Sequence, residues 1–380
     1  MRVIVVNVAE LLNCPPALSV IKALDDLGHE VIVCAIGFDK SNYFNNLGNT
    51  NNVKFEYIYN SYKDNIPLPQ KLGRMFSIRK KLWKIIDKYY DSNSILWVVS
   101  EVSIKHLGKK LLGKKYLLHM LELIEEMNYI SGSSLFKLDR CAYVSHASRV
   151  VEAEYNRAHI TKAWWNLKEL PSVLPNKPYV TMNIPKNAPI SSSDDIANLI
   201  DKLSEKKIVL YQGNISAERP LDVYIKAVGE LGDKWAFVMM INGDNPYPDL
   251  HINNLFFVPF IAPPFHLEVT SHAYIGILSY VPVKNSHSIL NTLYCAPNKI
   301  WEYSKFGIPM VGNDLPALNY LFGTEKVGVC IENMSVEDVK KAILKIDNDY
   351  ENYSKSSKHF FDSFDIRAKV AEIIETAMQK

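Results

Sequence analysis

The chain has 380 residues and a mass of 43.3 kDa, with 48% hydrophobic and 22% charged residues. At roughly 150 residues per domain this predicts two domains of an ordinary globular protein, which excludes disorder, collagen-like structure and a polytopic membrane protein as the main architecture. The net charge of +2 gives no sign of a nucleic-acid partner.

The charge is unevenly distributed. Residues 1–175 hold 23 Lys and Arg against 17 Asp and Glu, a net of +6, and the rest of the chain nets −4. A basic front half and a mildly acidic back half imply different partners. The five cysteines, Cys14, Cys34, Cys141, Cys295 and Cys330, form no CxxC pair. A reducing cytosol is therefore expected, without a disulfide framework or zinc knuckle. Apolar runs such as 3–6, 208–211 and 236–241 are strand-length and fall short of the ~18 residues of a spanning helix. The first run is also too short for the apolar core of a signal peptide.

Residues 2–7 read as a continuous apolar strand. Residues 17–28 place Leu18, Ile21, Leu24 and Leu27 at helical spacing, and a second apolar run follows at 31–36. Strand, helix and strand of these lengths make a right-handed parallel unit and predict a doubly wound α/β sheet. Residues 41–52, rich in Asn, read as an exposed loop. Further strands are expected at 55–59, 94–99, 116–119 and 141–144.

Residues 71–90 form a basic helix with Leu72, Met75, Phe76, Leu82, Trp83, Ile86, Tyr89 and Tyr90 on one side. Lys81, Lys84 and Lys88 line another side, with Lys80 and Arg74 nearby, and Lys105, Lys109, Lys110, Lys114 and Lys115 follow. Two readings stand: a solvated cationic face, or docking on anionic lipid at ~1 kcal/mol per basic residue. The aromatic platforms of a single-strand nucleic-acid binder are missing.

Prolines 171, 175, 178, 185 and 189 and Ser191-Ser192-Ser193 mark a break, read as a semi-rigid linker. The expected division is a first domain over 1–172, a linker over 173–192 and a second domain from 193. The α/β rhythm then restarts. Helices are expected at 194–205, 221–231, 300–306, 336–347 and 365–379, and strands at 207–212, 236–242, 255–258, 274–279 and 309–311.

Two such domains bind ligands at the carboxyl ends of their strands. After the first strand, residues 8–16 contain no glycine. A dinucleotide fingerprint and a P-loop both need glycines for close backbone approach to phosphate, so neither class fits. The second domain differs. Its first strand ends in Gln212-Gly213-Asn214, and Arg219-Pro220 open a helix. A glycine there admits a ligand to the backbone, and the Arg219 fork suits a diphosphate; the alternative is a solvated cation at a helix start. Further on, residues 296–311 run as a short helix through a glycine into an apolar strand. Lys299 and Glu302, three apart, share a helix face. They are either a surface ion pair worth little or a cation for phosphate and a carboxylate for ribose hydroxyls.

Residues 205–345 resemble the nucleotide-sugar-binding domain of GT-B glycosyltransferases of the group 1 type, similar to retaining family 4. The likeness lies in the order YQGN…ERPLDVYIKAV, FVMMINGDNP, FFVPFI, YIGILSY and APNKIWEYSKFGIPMV. The front half matches more weakly, through its first strand, KYLLHMLELIEE and residues 144–149. The resemblance implies an α/β, GT-B fold: two facing Rossmann-like, doubly wound parallel-sheet domains. It places the donor domain at 193–361, the acceptor-side domain at 1–172 and a C-terminal crossover helix, 362–380, packed back on the first domain. It also implies residue roles. Arg219 neutralises the donor diphosphate with Gly213 and Asn214 beside it, and Glu302 holds the ribose. Asn298 and Lys299 face the sugar diphosphate, Pro259 and Phe260 flank the base, and His119 faces the donor sugar. His146, His272 and His287 have no such support and read as structural.

The pattern is broken in places. Many members carry two glutamates separated by seven residues, and eight positions before Glu302 stands Tyr294; many also carry an arginine where Asn214 stands here. Asn13-Cys14-Pro15-Pro16 replaces a glycine-rich front loop. The implied activity is transfer of a hexose, with retention, from a nucleotide diphosphate sugar to a hydroxyl. The acceptor would be a glycan or lipid-linked intermediate of bacterial surface polysaccharide. No metal or cofactor is expected, and the location would be cytoplasmic, peripheral on the inner face of the membrane. Two alternatives remain: a catalytically weak glycan-binding or partner subunit, and a GT-B-like sugar-nucleotide epimerase.

Overall fold

The computed structural model describes residues 1–36, 50–59, 67–128, 137–179, 183–283 and 289–379. Residues 41–49 of the expected loop and His287 lie outside them. The chain divides into two compact units, residues 1–181 with 365–380, and residues 182–364.

The first unit holds strands β1 (Arg2–Glu10), β2 (Glu30–Ile36), β3 (Val53–Tyr59), β4 (Ser94–Val99), β5 (Tyr116–His119), β6 (Arg149–Glu152) and β7 (Ser172–Val173). Its helices include α1 (Pro15–Asp26), α2 (Leu68–Tyr89), α3 (Glu101–Leu107), α4 (Arg140–His146) and α5 (Tyr155–Trp164). The sheet runs β3-β2-β1-β4-β5-β6-β7 with every neighbour parallel. Parallel strands covered on both faces need near-continuous apolar sequence, and β1 shows it: Val3 to Val6 are all fully buried. On one face Ile4, Val6, Leu96, Val98 and Leu118 pack with Ile78, Leu82 and Ile86 of α2.

Pro15 opens α1, where its missing N–H costs nothing. The helix closes in a Schellman motif on Gly28 (φ +78°), with His29 N–H donating to the Leu24 carbonyl at 3.1 Å. The terminal helix, Ile366–Met378, belongs to this unit. It packs against α1 and buries Ile366, Val370, Ile373, Ile374 and Ala377.

One expectation fails. Residues 141–144 are not a strand but part of α4. A four-residue apolar run fits either structure. Asp139 decides for the helix by accepting the Ala142 N–H at 3.2 Å, an N-cap. The strand comes later, at β6.

The second unit holds β8 (Lys207–Gln212), β9 (Trp235–Ile241), β10 (Leu255–Pro259), β11 (Ile275–Leu278), β12 (Met310–Asn313) and β13 (Gly328–Ile331). Its helices are α6 (Asp194–Lys202), α7 (Asp222–Glu230), α8 (His266–Thr270), α9 (Ile289–Leu293), α10 (Asn298–Lys305), α11 (Pro316–Glu325), α12 (Val336–Asn348) and α13 (Tyr350–Asp362). The sheet order is β10-β9-β8-β11-β12-β13, again all parallel. Read from the first strand of the unit this is 3-2-1-4-5-6, which puts the topological switch point between β8 and β11.

The proline-rich stretch is tied down at both ends. Tyr179 N–H donates to the Ser19 hydroxyl at 2.9 Å in the first unit. In the second, Ala188 N–H donates to Ser271 at 2.9 Å, and the Ser191 hydroxyl donates to buried Glu268 at 2.6 Å. Among the described residues no helix is long and apolar enough to cross a membrane.

Candidate functional site

In the second unit the switch point is built by β8, which delivers Gln212, Gly213 and Asn214, and by β11, which leads to Tyr280. Helix α10 is clamped over these strands. The Tyr303 hydroxyl donates to the Leu210 carbonyl of β8 at 3.0 Å, and its ring lies against Gly276 of β11, where a Cβ would sit 2.4 Å from a ring carbon. The neighbouring Glu302 and the first-turn Lys299 are thereby held at the carboxyl edge of the sheet.

Lys299 is buried, and its Nζ has no hydrogen-bond partner. Two aromatic rings surround it: the ammonium lies 4.3 Å from the centroid of Tyr211 and 5.3 Å from that of Tyr280. Gly213 (φ +120°) lies beside it, where a Cβ would make only an ordinary 3.6 Å contact with Nζ. That φ is one that other residues rarely adopt. The Arg219 guanidinium sits over the same Tyr280 ring at 5.5 Å and donates to the Asn214 carbonyl at 3.4 Å. Its Nε is without a partner. Asn214 thus contributes its backbone: the same carbonyl accepts the Tyr211 hydroxyl at 2.7 Å.

Two cations therefore share one aromatic ring. Burial, and then the charge of Arg219, bring the Lys299 pKa down to about 7, against the pull of Glu302. Lys299 and Glu302 are not ion-paired. The Glu302 carboxylate instead accepts the Gln212 amide at Oε2, 2.5 Å away, and faces His266 Nε2 from Oε1 at 3.2 Å. The Thr270 hydroxyl completes a ring of contacts by donating to Gln212 Oε1 at 2.6 Å. Burial alone would raise the Glu302 pKa, but His266, Gln212 and Lys299 hold it below the ordinary carboxylate value.

Arg219, Gly213, Asn214, Lys299 and Glu302 are thus brought together, and Asn298 opens the same helix. Pro259 and Phe260 stand apart from them at the end of β10, two strands from β8, with Phe260 58% exposed. His119, in the first unit, ends β5 fully buried. Its Nδ1 faces Trp97 Nε1 at 3.4 Å, its Nε2 has no partner, and burial lowers its pKa to about 4. His146 and His272 bond backbone carbonyls, each at 2.7 Å, as structural residues do. The sequence did not single out Tyr211, Tyr280, Gln212, His266 or Thr270. Among the described residues no group of three His, Cys, Asp or Glu side chains could hold a metal ion.

On α2 the cationic face is partly neutralised. Lys88 pairs with Glu56 at 3.3 Å, Lys81 donates to the Ile58 carbonyl at 3.1 Å, and beyond the helix Lys110 pairs with Asp87 at 2.6 Å. Lys80 and Lys84 remain exposed, and Phe76, expected on the apolar side, shares their face instead and is 58% exposed.

No family model matches the sequence, and no curated protein does. Solved structures do match along the whole chain. HepE of Anabaena in complex with UDP-glucose is 13% identical, with a TM-score of 0.66 and 100% of each chain covered. A glycosyltransferase of Rickettsia africae is 13% identical with a TM-score of 0.65, covering 100% of this chain and 98% of that one. Sucrose-phosphate synthase of Thermosynechococcus elongatus is 13% identical with a TM-score of 0.62, covering 100% and 97%. With two parallel α/β units and a terminal helix returned to the first, the chain has the GT-B fold.

Proposed function

We propose that the chain is a glycosyltransferase whose second unit binds a nucleotide diphosphate sugar and which passes a hexose, with retention, to a hydroxyl acceptor. One observation carries the reading. At the switch point Arg219 and Lys299 converge beside a glycine, and the Lys299 ammonium is buried without a hydrogen-bond partner. A buried polar group left so is costly, and a diphosphate supplies the acceptors. Glu302 would take the ribose hydroxyls, and Pro259 and Phe260 would flank the base. HepE, with the same fold, was solved with UDP-glucose.

In the chemical step the bond between the anomeric carbon and the diphosphate oxygen breaks, and charge collects on the diphosphate. Arg219 and Lys299, fixed before the reaction, would stabilise that charge electrostatically. The acceptor hydroxyl forms the new bond, and its proton passes to the departing diphosphate oxygen. We assign the acceptor side, with His119, to the first unit, and the acceptor class to glycans or lipid-linked intermediates of bacterial polysaccharide. The exposed Phe76, Lys80 and Lys84 suit peripheral contact with anionic lipid.

The test is calorimetric titration of UDP, GDP and ADP into the intact protein and its Arg219→Ala variant. At least one should bind, and the variant should bind it more weakly by ~1.5–3 kcal/mol, the scale of a charge-assisted hydrogen bond. Failure of all three to bind, or unchanged affinity in the variant, overturns the reading. Tyr294, standing where many similar proteins carry a glutamate, favours a second reading, a binding subunit without turnover. Incubation with nucleotide sugars and glycan acceptors separates the two, and conversion of a nucleotide sugar without acceptor would mark an epimerase.

A further inference from the structure

We propose, resting on the reading of Glu302 as the ribose ligand, that His266 is a positioning residue that sets the preference of the site for ribose over 2′-deoxyribose. A carboxylate that is to grip two adjacent hydroxyls must present both oxygens in one plane at a fixed angle. Glu302 is anchored at each oxygen separately: Gln212 holds Oε2 at 2.5 Å and His266 Nε2 faces Oε1 at 3.2 Å.

The two anchors come from different elements and are themselves fixed. Gln212 ends β8 and is oriented by the Thr270 hydroxyl, which donates to its Oε1 at 2.6 Å. With Oε1 occupied as an acceptor, its amide nitrogen must point at Glu302. The same hydroxyl lies 3.0 Å from the His266 carbonyl, one turn earlier on α8. Gln212, Glu302, His266 and Thr270 thus close a ring across β8, α8 and α10.

His266 donates from Nε2, because a carboxylate only accepts. Its Nδ1 is buried without a partner. The Nε2 contact to Glu302 is therefore the hydrogen bond that fixes the ring. Remove His266 and the carboxylate keeps one anchor only. It can then rotate about the Gln212 bond, and its second oxygen no longer meets the 2′-hydroxyl at a fixed place. The first hydroxyl contact and the diphosphate contacts at Arg219 and Lys299 are untouched.

The experiment uses the best-binding ribonucleoside diphosphate among UDP, GDP and ADP and its 2′-deoxy counterpart, titrated calorimetrically into the full chain. The intact protein should prefer the ribose form by about tenfold or more, the worth of one hydrogen bond to a charged group. His266→Leu, close in volume but without a donor, should bring the two affinities to within about twofold, the residue of one lost anchor. His266→Gln places an amide N–H near the position of Nε2 and should restore most of the preference. His266→Ala is the second donor-less variant should leucine fail to fold, with thermal melting as the check.

Equal weakening of both ligands in His266→Leu or His266→Ala, with the preference kept, overturns the proposal, as does a glutamine variant that folds but restores nothing. Failure of the underlying reading looks different: either the intact protein does not discriminate, or Glu302→Gln keeps the full preference for ribose.

Discussion

Nucleoside diphosphate affinity should fall as pH rises above neutrality, and Lys299 is the reason. In the free protein its ammonium is buried against Tyr211 and Tyr280 with no hydrogen-bond partner, and burial followed by the charge of Arg219 brings its pKa down to about 7. Glu302 and Cys295 act in the opposite direction but do not offset this. A diphosphate accepts hydrogen bonds from Nζ and counters Arg219, so the bound state favours the charged form and raises the pKa. The complex therefore binds a proton that the free protein has lost. Affinity should be level below pH 7 and then weaken by up to tenfold, about 1.4 kcal/mol, per pH unit until the pKa of the complex is passed. Measurements from pH 7 to 9 avoid the second phosphate ionisation near ~6. Calorimetry in two buffers of different ionisation enthalpy should show close to one proton taken up at pH 8, an estimate of about one from a single titrating site. Lys299→Arg, whose guanidinium stays charged, should bind without that uptake. The stability of the free protein moves the other way. Its folded pKa is depressed, so the unfolded chain binds more protons between pH 7 and the ordinary lysine range, and stability rises with pH across that window; Lys299→Met should remove this slope. The same proton uptake in Lys299→Arg as in the intact protein, or none in either, would refute the argument.

Gly276→Ala should lower the melting temperature and weaken diphosphate binding together, because a Cβ at 2.4 Å from a Tyr303 ring carbon must push α10 off β11; overpacking of this kind costs ~1–3 kcal/mol or more. A stable variant with unchanged binding would show that this clamp does not position the site. Co-sedimentation with vesicles of rising anionic lipid content should show salt-sensitive binding, and Lys80→Gln with Lys84→Gln should remove about 2 kcal/mol of it at ~1 kcal/mol per exposed cation. Lys81→Gln with Lys88→Gln should remove less, since both are already engaged with Ile58 and Glu56. Equal binding to neutral and anionic vesicles, or none to either, returns α2 to a solvated face.

The residues that sequence reading placed well are those whose local pattern matches a single structure. Strands β4, β5 and β8 begin and end where expected because uninterrupted apolar runs leave no other option for a strand buried on both faces. β6, Arg149–Glu152, carries a charge at each end and only two apolar residues between, so it offers no period to read. Helix α13 spells YENYSKSSKHFFD and buries only Ser357 fully. Its place is set by contacts with α10, where Phe360 stacks on Trp301 at 4.3 Å and the Ser357 hydroxyl reaches Ser304 at 3.2 Å. In the site, Gly213, Arg219, Lys299 and Glu302 stand in recognisable local contexts. Gln212, His266 and Thr270 do not. They meet Glu302 or one another across 90, 36 and 58 residues of sequence, and no local pattern encodes that.

The spacing of Lys299 and Glu302 allows the two to neutralise each other on one helix face, and the fold does not use it. Both side chains are buried, where pairing would relieve the cost of each charge, yet Glu302 turns to Gln212 and His266 while Lys299 lies between two aromatic rings with no hydrogen-bond partner. The His266 and Gln212 contacts keep the carboxylate from swinging toward the ammonium. One end of the site thereby stays a hydrogen-bond acceptor and the other a donor pair with Arg219, within a single turn of α10. A ligand that carries hydroxyls at one end and phosphates at the other satisfies both ends together. One that carries only phosphates leaves the carboxylate end unused, and a purely structural ion pair would have consumed the site altogether.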